Sequence, residues 1–367
     1  MEKVWNVSMD VSLENFKYNY NQIKSFVGDD VDIMPIFKDN AYGSFINYNI
    51  ELINKLGIKI IGVAIIDEGI KLRQLGYKGD ILILNQPFAD ETYFASKYDL
   101  TISVASISLL NKLISSGEQY KIHIEIETGM GRTGLKLEEL GEFLSIASQN
   151  KNIEITGIFT HFSSSDSSEE YTLKQIDTFT KAIETAKSKV NFKYIHCCNS
   201  AGIINFPKAH FNLVRPGLIL LGYYPDESLK AKIRLKPVLT LRSKISFLKE
   251  VPENTYISYN RDFCTKHISK IATVPIGYAD GIRRSLSNTG NVVINGKIAP
   301  IVGKICMDCF MVDVTGIDAN VGDDVYIWDN EKITVEDIAK IYDTINYEVI
   351  SSLSNRIPRN FDQKWQV

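Results

Sequence analysis

Eight short apolar runs recur before residue 236, and their rhythm constrains the fold more than any other feature of the chain. They fall at Ile33–Phe37, Ile60–Ala64, Ile81–Leu84, Thr101–Val104, Ile122–Glu127, Ile155–Thr160, Tyr194–Cys198 and Leu213–Val214. Between most of them lie stretches with helical periodicity, such as Asp67–Leu75, Ile107–Ser115, Leu137–Gln149 and Glu169–Ser188. Eight strands alternating with helices is the count that closes a parallel sheet into a (β/α)8 TIM barrel. An open doubly wound sheet is the competing reading, but no GxGxxG follows the first run. Ahead of the rhythm, residues 1–9 read as a short strand. Val11–Ser25, with Leu13, Phe16, Tyr20 and Ile23 on one face, reads as an amphipathic helix.

After Lys236 the texture changes. Val238–Leu248, Ile268–Val274, Asn291–Ile294, Phe310–Val314 and Val325–Trp328 are short β-rich runs, separated by turns such as Asn295-Gly296. Val335–Tyr342 reads as a helix. The expected organisation is an α/β barrel over residues 10–235, then a mostly β C-terminal domain over 236–367 that also takes the strand 1–9. A length of 367 residues accommodates both cores.

Composition excludes some classes. A formal net charge of −3 offers neither nucleic acid nor a membrane surface a basic patch. Five cysteines are an odd number, and the pair Cys306/Cys309 has no second CxxC at zinc spacing, so neither a disulfide framework nor a metal is expected. The longest apolar stretch, Ile58–Ile66, is short and contains Lys59 and Gly62. Met1–Asn6 holds no signal-peptide core. The chain as given reads as soluble and suited to the reducing cytoplasm.

In a barrel, chemistry collects where strands end. Lys38 ends the first run, and Tyr42 follows. The fifth runs through Glu125 and Glu127 into Thr128-Gly129-Met130-Gly131-Arg132. The sixth ends in Thr160-His161-Phe162, the seventh in Cys198-Asn199-Ser200 and the eighth in Arg215-Pro216-Gly217. A lysine in a dry pocket can form a Schiff base with a carbonyl cofactor. Ser200 at a helix start and the loop at Gly217 suit a phosphate. Arg215 can reach the ring nitrogen of a pyridine cofactor, where a cation disfavours ring protonation. Arg132 suits a carboxylate.

Together with Ile257-Ser258-Tyr259, Gly277-Tyr278-Ala279-Asp280-Gly281 and Ile305-Cys306-Met307-Asp308, these segments resemble the alanine racemase family over nearly the whole chain. The resemblance implies a pyridoxal 5′-phosphate (PLP) enzyme acting as a head-to-tail homodimer. In it, Lys38 bonds the cofactor and is the base on one face of the substrate. Tyr259, supplied by the partner subunit, is the base on the other. Tyr42, Asn199, Ser200 and the backbone at Gly217 and Leu218 belong to the cofactor site, with His161 near the ring and Arg215 at its nitrogen. Arg132 and the partner's Met307 hold the substrate carboxylate; Tyr278 and Asp308 line the entrance.

Two departures from the family pattern stand out. Glu125 replaces a lysine that many members carry in carbamylated form; the expectation is that its carboxylate holds Arg132. Asn355, in Ser354-Asn355-Arg356, replaces a tyrosine that helps hold the phosphate and crowds the substrate side chain. Asparagine frees volume and offers a donor and an acceptor to a substrate hydroxyl. That change resembles the serine/alanine racemases of vancomycin resistance, whose parent proteins carry a membrane-spanning domain. The expected activity is therefore racemisation of serine and alanine for cell-wall precursors. The alternatives are an ordinary alanine racemase and a PLP-binding homeostasis protein without catalysis.

Overall fold

The computed structural model describes residues 5–362. It resolves into two compact units. A barrel unit comprises Phe16–Ala41 and Phe45–Lys236, and a β unit comprises Met1–Asn15, Tyr42–Ser44 and Pro237–Val367. Of the strand expected over residues 1–9, residues 1–4 lie outside the described residues; strand β1 covers Ser8–Val11 and belongs to the β unit. The helix Leu13–Val27 follows, burying Leu13, Phe16, Tyr20 and Ile23 at helical spacing.

All eight apolar runs of the barrel unit contain strands. These are β2 (Asp32–Ile33), β3 (Ile60–Val63), β4 (Asp80–Ile83), β5 (Thr101–Val104), β6 (Tyr120–Glu125), β7 (Ile153–Phe159), β8 (Tyr194–His196) and β9 (Leu213–Val214). Strands β3 to β8 form a parallel sheet in sequence order, and β2 pairs with β9. The ring closes through the Phe37 amide on Gly62 O (2.8 Å) and, across from β9, the Arg215 amide on Cys198 O (3.0 Å). Every residue of β3 and β5 is buried, which is why these strands read as unbroken apolar runs. β2 is shorter than its run. Met34 and Ile36 still donate to Val214 O and Pro216 O at 2.9 Å, but Pro35 between them has no amide to extend the ladder. The helix Glu169–Ala186 is capped by Ser168 and buries Thr172, Gln175, Phe179, Ala182 and Ala186, a 3-4-3-4 stripe. No helix among the described residues is long and apolar enough to cross a membrane.

The β unit adds β10 (Leu239–Lys244), β11 (Phe247–Val251), β12 (Tyr256–Ile257), β13 (Phe263–Cys264), β14 (Ser269–Val274), β15 (Asn291–Ile294), β16 (Lys297–Val302), β17 (Phe310–Asp313), β18 (Asp324–Trp328) and β19 (Arg359–Phe361). Nine strands form one sheet in the order β11-β14-β17-β16-β15-β18-β10-β1-β19, and β12 pairs with β13. Asn295 and Gly296 take positive φ (47° and 74°) and connect β15 to β16 as a tight hairpin. The run Val238–Leu248 is two strands rather than one. At the break Ile245 donates to Asp323 O and Ser246 to Thr273 O, so the two halves pair in different parts of the sheet. The helix Val335–Tyr342 forms as expected, with Thr334 as its cap.

Candidate active site

Lys38 stands on the barrel rim where the first run ends. Asp39, Asn40, Ala41 and Tyr42 take φ of 52°, 52°, 54° and 57°, a left-handed turn. Each left-handed L-residue costs about 1–2 kcal/mol, less for Asp and Asn, so the surroundings must impose this conformation. The Ala41 amide donates to Phe37 O (3.1 Å), the Phe45 amide to Asn40 O (2.8 Å) and the Tyr48 hydroxyl to Asn40 Oδ1 (2.7 Å). Lys38 keeps solvent access, yet desolvation by the rim, and then the Arg132 guanidinium, hold its amine below the ordinary lysine pKa; Glu68 and Asp39 oppose them.

Arg215, 3% exposed, is the centre of a chain of buried rings. Its Nη1 lies 2.8 Å from His196 Nδ1, and its Nη2 donates to Thr160 O (2.8 Å) and Cys197 O (3.0 Å) and lies 3.2 Å from His161 Nδ1. A guanidinium can only donate, so both Nδ1 atoms accept and each ring carries its hydrogen on Nε2. His196 Nε2 then donates to His123 Nδ1 at 3.0 Å, which leaves His123 Nε2 as the N–H; that atom is buried without a hydrogen-bond partner. Burial, followed by nearby cations, keeps all three rings neutral. His161 and His196 fall well below the usual histidine range, and His123 falls to about 3. Phe159 stacks on His196 with centroids 5.0 Å apart. Room for His123 is made by Gly157, where a Cβ would stand 2.6 Å from the imidazole.

Glu125 corrects an expectation. It is 2% exposed, so it does not face solvent, but it forms no ion pair with Arg132 among the described residues. Its Oε2 accepts from Thr133 Oγ1 at 2.8 Å. The reason lies in the loop. Glu127 folds back to accept the Gly129 and Gly131 amides, and the Arg132 side chain is left exposed on the turn. Arg132 acts on Glu125 only as a nearby charge: burial raises the carboxyl's pKa, while the Thr133 bond and Arg132 counter it. Gln175, fully buried, ties two rim loops together. Its Nε2 donates to Thr128 Oγ1 (3.2 Å) and His161 O (3.1 Å), and its Oε1 accepts the Ser163 amide (3.0 Å).

Asn199 caps the short helix Ser200–Asn205, its Oδ1 accepting from Gly202 N (2.9 Å) and Ser165 Oγ (2.8 Å). The buried Ser200 Oγ accepts the Gly217 amide at 3.2 Å, so the hydroxyl hydrogen remains for another acceptor. That amide is engaged with Ser200; Leu218 opens the 3-10 turn Leu218–Leu221, where the first amides have no partner inside the turn. The donor set fits a phosphorylated carbonyl cofactor: a reactive amine, a donating hydroxyl, opening-turn amides and a buried guanidinium.

The β unit gathers the remaining candidates in one loop cluster. The Tyr278 and Ala279 amides donate to Cys306 O and Met307 O, both at 3.0 Å. Gly277 permits this approach, since a Cβ there would stand 2.4 Å from both carbonyls. Ser258, next to Tyr259, donates to Lys304 O at 2.7 Å. Arg356, beside Asn355, bridges buried Asp280 (2.5 Å) and Asp308 (3.0 Å). Tyr259, Tyr278 and Met307 are 65%, 44% and 53% exposed, and Asn355 is exposed as well. Tyr42 also falls in this unit, buried against Tyr347 at 6.2 Å between ring centroids. Burial raises its hydroxyl's pKa.

His123, His196, Gln175 and Glu68 escaped the sequence reading. The alternation of β6 does mark His123 as a polar residue in an apolar run; nothing local marks the other three.

A lysine kept below its ordinary pKa in a barrel mouth, with phosphate donors across the rim, defines the class of enzymes that bind a carbonyl cofactor through an amine. Residues 11–225 match the family described as alanine racemase, N-terminal domain, and residues 238–361 match alanine racemase, C-terminal domain. The alanine racemase of Halothermothrix orenii is 39% identical over 365 residues, covering 97% of this chain and 96% of that protein. Alanine racemase 2 of Caldanaerobacter subterraneus is 38% identical over 370 residues, covering 98% and 95%. Among solved structures, alanine racemase from Clostridium difficile 630 superposes with a TM-score of 0.94 at 34% identity, covering 98% of this chain and 97% of that one. That of Bacillus anthracis with bound L-Ala-P gives 0.93 at 32% identity, covering 99% and 97%. The chain belongs to the alanine racemase family, whose enzymes use pyridoxal 5′-phosphate.

Proposed function

We propose that this protein is an alanine racemase that interconverts L- and D-alanine, with L- and D-serine accepted as secondary substrates. The observation that carries the reading is Lys38, an amine on the barrel rim held below its ordinary pKa by desolvation and by the Arg132 guanidinium. The relatives named alanine racemase support alanine over the serine-first reading. Nothing in them points to antibiotic resistance.

PLP, when bound, supplies the electron sink that acidifies the substrate's α-hydrogen. Lys38 would hold it covalently, and Ser200 and Leu218 would hold its phosphate. Arg215, flanked by two rings that accept its hydrogens, stays cationic and has no proton to give up at neutral pH. It therefore withholds a proton from any basic atom placed against it, which directs the site towards proton exchange at one carbon. Arg132, exposed and without an ion pair among the described residues, receives the substrate carboxylate. Lys38 Nζ takes or returns a proton on one face and the Tyr259 hydroxyl does so on the other. Tyr259 is two-thirds exposed in the single chain; a partner subunit in a homodimer would bring it to the site.

Serine enters through Asn355. Asparagine is smaller than the family's tyrosine and carries both a donor and an acceptor, and a small pocket excludes an added hydroxyl only weakly, by about 10²-fold. Racemisation of L-alanine and L-serine is measured side by side on the PLP-loaded protein. Loss of optical activity with alanine, and more slowly with serine, is expected. Failure with alanine would sink the main reading; failure with serine alone would remove the second.

A further inference from the structure

Glu68 holds two backbone segments at once. It lies in the first turn of the helix Ile66–Gln74. Its Oε2 accepts the Ala64 amide at 2.8 Å and the Ile65 amide at 3.4 Å, the usual task of an acidic residue at a helix start. Its Oε1 accepts the Asp39 amide at 2.6 Å, across 29 residues of sequence. Capping does not require that second contact. The Asp39 amide belongs to the peptide that leaves Lys38, and it is the first group of the left-handed turn.

We propose that Glu68 is the positioning residue for Lys38, anchoring the peptide behind the lysine to the loop after β3 and presenting a negative charge to the lysine's amine. The geometry gives it both roles. A short, charge-assisted bond is among the stronger ones a backbone amide makes. Here it acts at a peptide bonded directly to the Lys38 Cα, whose rotation would swing the side chain around the rim. Other bonds of the turn engage different groups: the Ala41 amide donates to Phe37 O, and Asn40 accepts from the Phe45 amide and the Tyr48 hydroxyl. The charges acting on the amine are Arg132, which disfavours its protonation, and Glu68 and Asp39, which favour it. Neutral His161 is the further titratable group nearby. Of the two carboxylates, Glu68 alone comes from another element of the barrel, so it ties the lysine's position and its basicity to one side chain.

The inference rests on the proposed racemase activity only for its kinetic readout. The test compares wild type with Glu68→Gln and Glu68→Ala by two measurements. The first is the pH dependence of Lys38 reductive methylation in the cofactor-free protein, with formaldehyde and a borohydride, followed by mass analysis of the Lys38 peptide. This reads the amine whatever the enzyme's substrate. Removing the carboxylate charge should move the labelling midpoint to lower pH in both variants. The second is alanine racemisation with PLP. Displacement of a catalytic group by about 1 Å can cost about 10²-fold, so kcat should fall by about 10- to 100-fold in Glu68→Ala and by less in Glu68→Gln, with KM little changed. Glu68→Gln retains one acceptor for the helix start and carries the test if Glu68→Ala does not fold. An unchanged labelling midpoint together with unchanged kcat in a folded variant overturns the proposal. Wild type that labels normally at Lys38 but does not racemise alanine overturns the proposed function instead, and the labelling shift still decides the role of Glu68.

Discussion

The barrel rim and the loop cluster of the β unit carry the two halves of the same expected chemistry, yet they are built in opposite ways. On the rim, Lys38 and Arg132 are open to solvent, but the other polar groups are committed. Arg215 is donated into two rings and two carbonyls, Gln175 bridges two loops, and the histidines are held neutral. In the cluster, the backbone is pinned by close carbonyl contacts, but the side chains of Tyr259, Tyr278 and Met307 stand open to solvent. The rim fixes both position and protonation within one unit. The cluster fixes the backbone and leaves its side chains exposed. Lys38 belongs to the first design and Tyr259 to the second.

The sharpest way to break this contrast is to remove each base. Lys38→Ala should abolish racemisation together with covalent PLP attachment. Tyr259→Phe should lower kcat by about 10²- to 10⁴-fold, the usual weight of a general acid–base group, while PLP absorbance stays that of wild type. Near-normal turnover by Tyr259→Phe would remove the cluster from the chemistry.

A second measurement separates the units by pH. His123, His161 and His196 have folded-state pKa values below that of the unfolded chain. The unfolded state therefore binds more protons as pH falls through about 6.5. Stability contributed by these rings is present above that pH and declines below it, by up to about 1.4 kcal/mol per pH unit for each ring. Urea unfolding between pH 7 and pH 4, followed by a probe in each unit, should show the barrel unit weakening first. Equal pH dependence in both would count against the buried-ring account.

Asn355→Tyr tests the cluster's share in specificity. It should lower kcat/KM for serine relative to alanine by about 10-fold, within the range a small pocket can discriminate. A ratio unchanged from wild type would make Asn355 irrelevant to the side chain. The smallest effect concerns the rim's backbone. Ala41→Gly relieves one left-handed L-residue and should raise stability by up to about 1 kcal/mol, net of the unfolded-state entropy glycine adds, as a modest increase in Tm.

The barrel was legible because most of its strand residues are buried, so each strand appears as a largely apolar run whatever its neighbours. The rim residues Lys38, Arg132, His161, Ser200 and Arg215 could be found because strand ends are marked in sequence. What could not be read depends on partners distant along the chain. The bond between Glu125 and Thr133 hinges on how the Gly129–Gly131 turn folds over Glu127, and His196 gains meaning only beside Arg215. In the β unit, β16 was missed because Pro300 interrupts its pattern, although β15 still pairs along its length. The strand β19 is three residues long and lies in parallel beside β1, a partnership invisible to any local window.

The left-handed turn at Asp39–Tyr42 has a stereochemical consequence. The φ values of this segment are those that the mirror-image amino acids prefer. A chain assembled by chemical ligation with D-alanine in place of Ala41 should close the turn with less strain than the natural one. Few positions in a protein would tolerate an inverted centre, and this one lies three residues from the lysine proposed to act on either enantiomer of alanine.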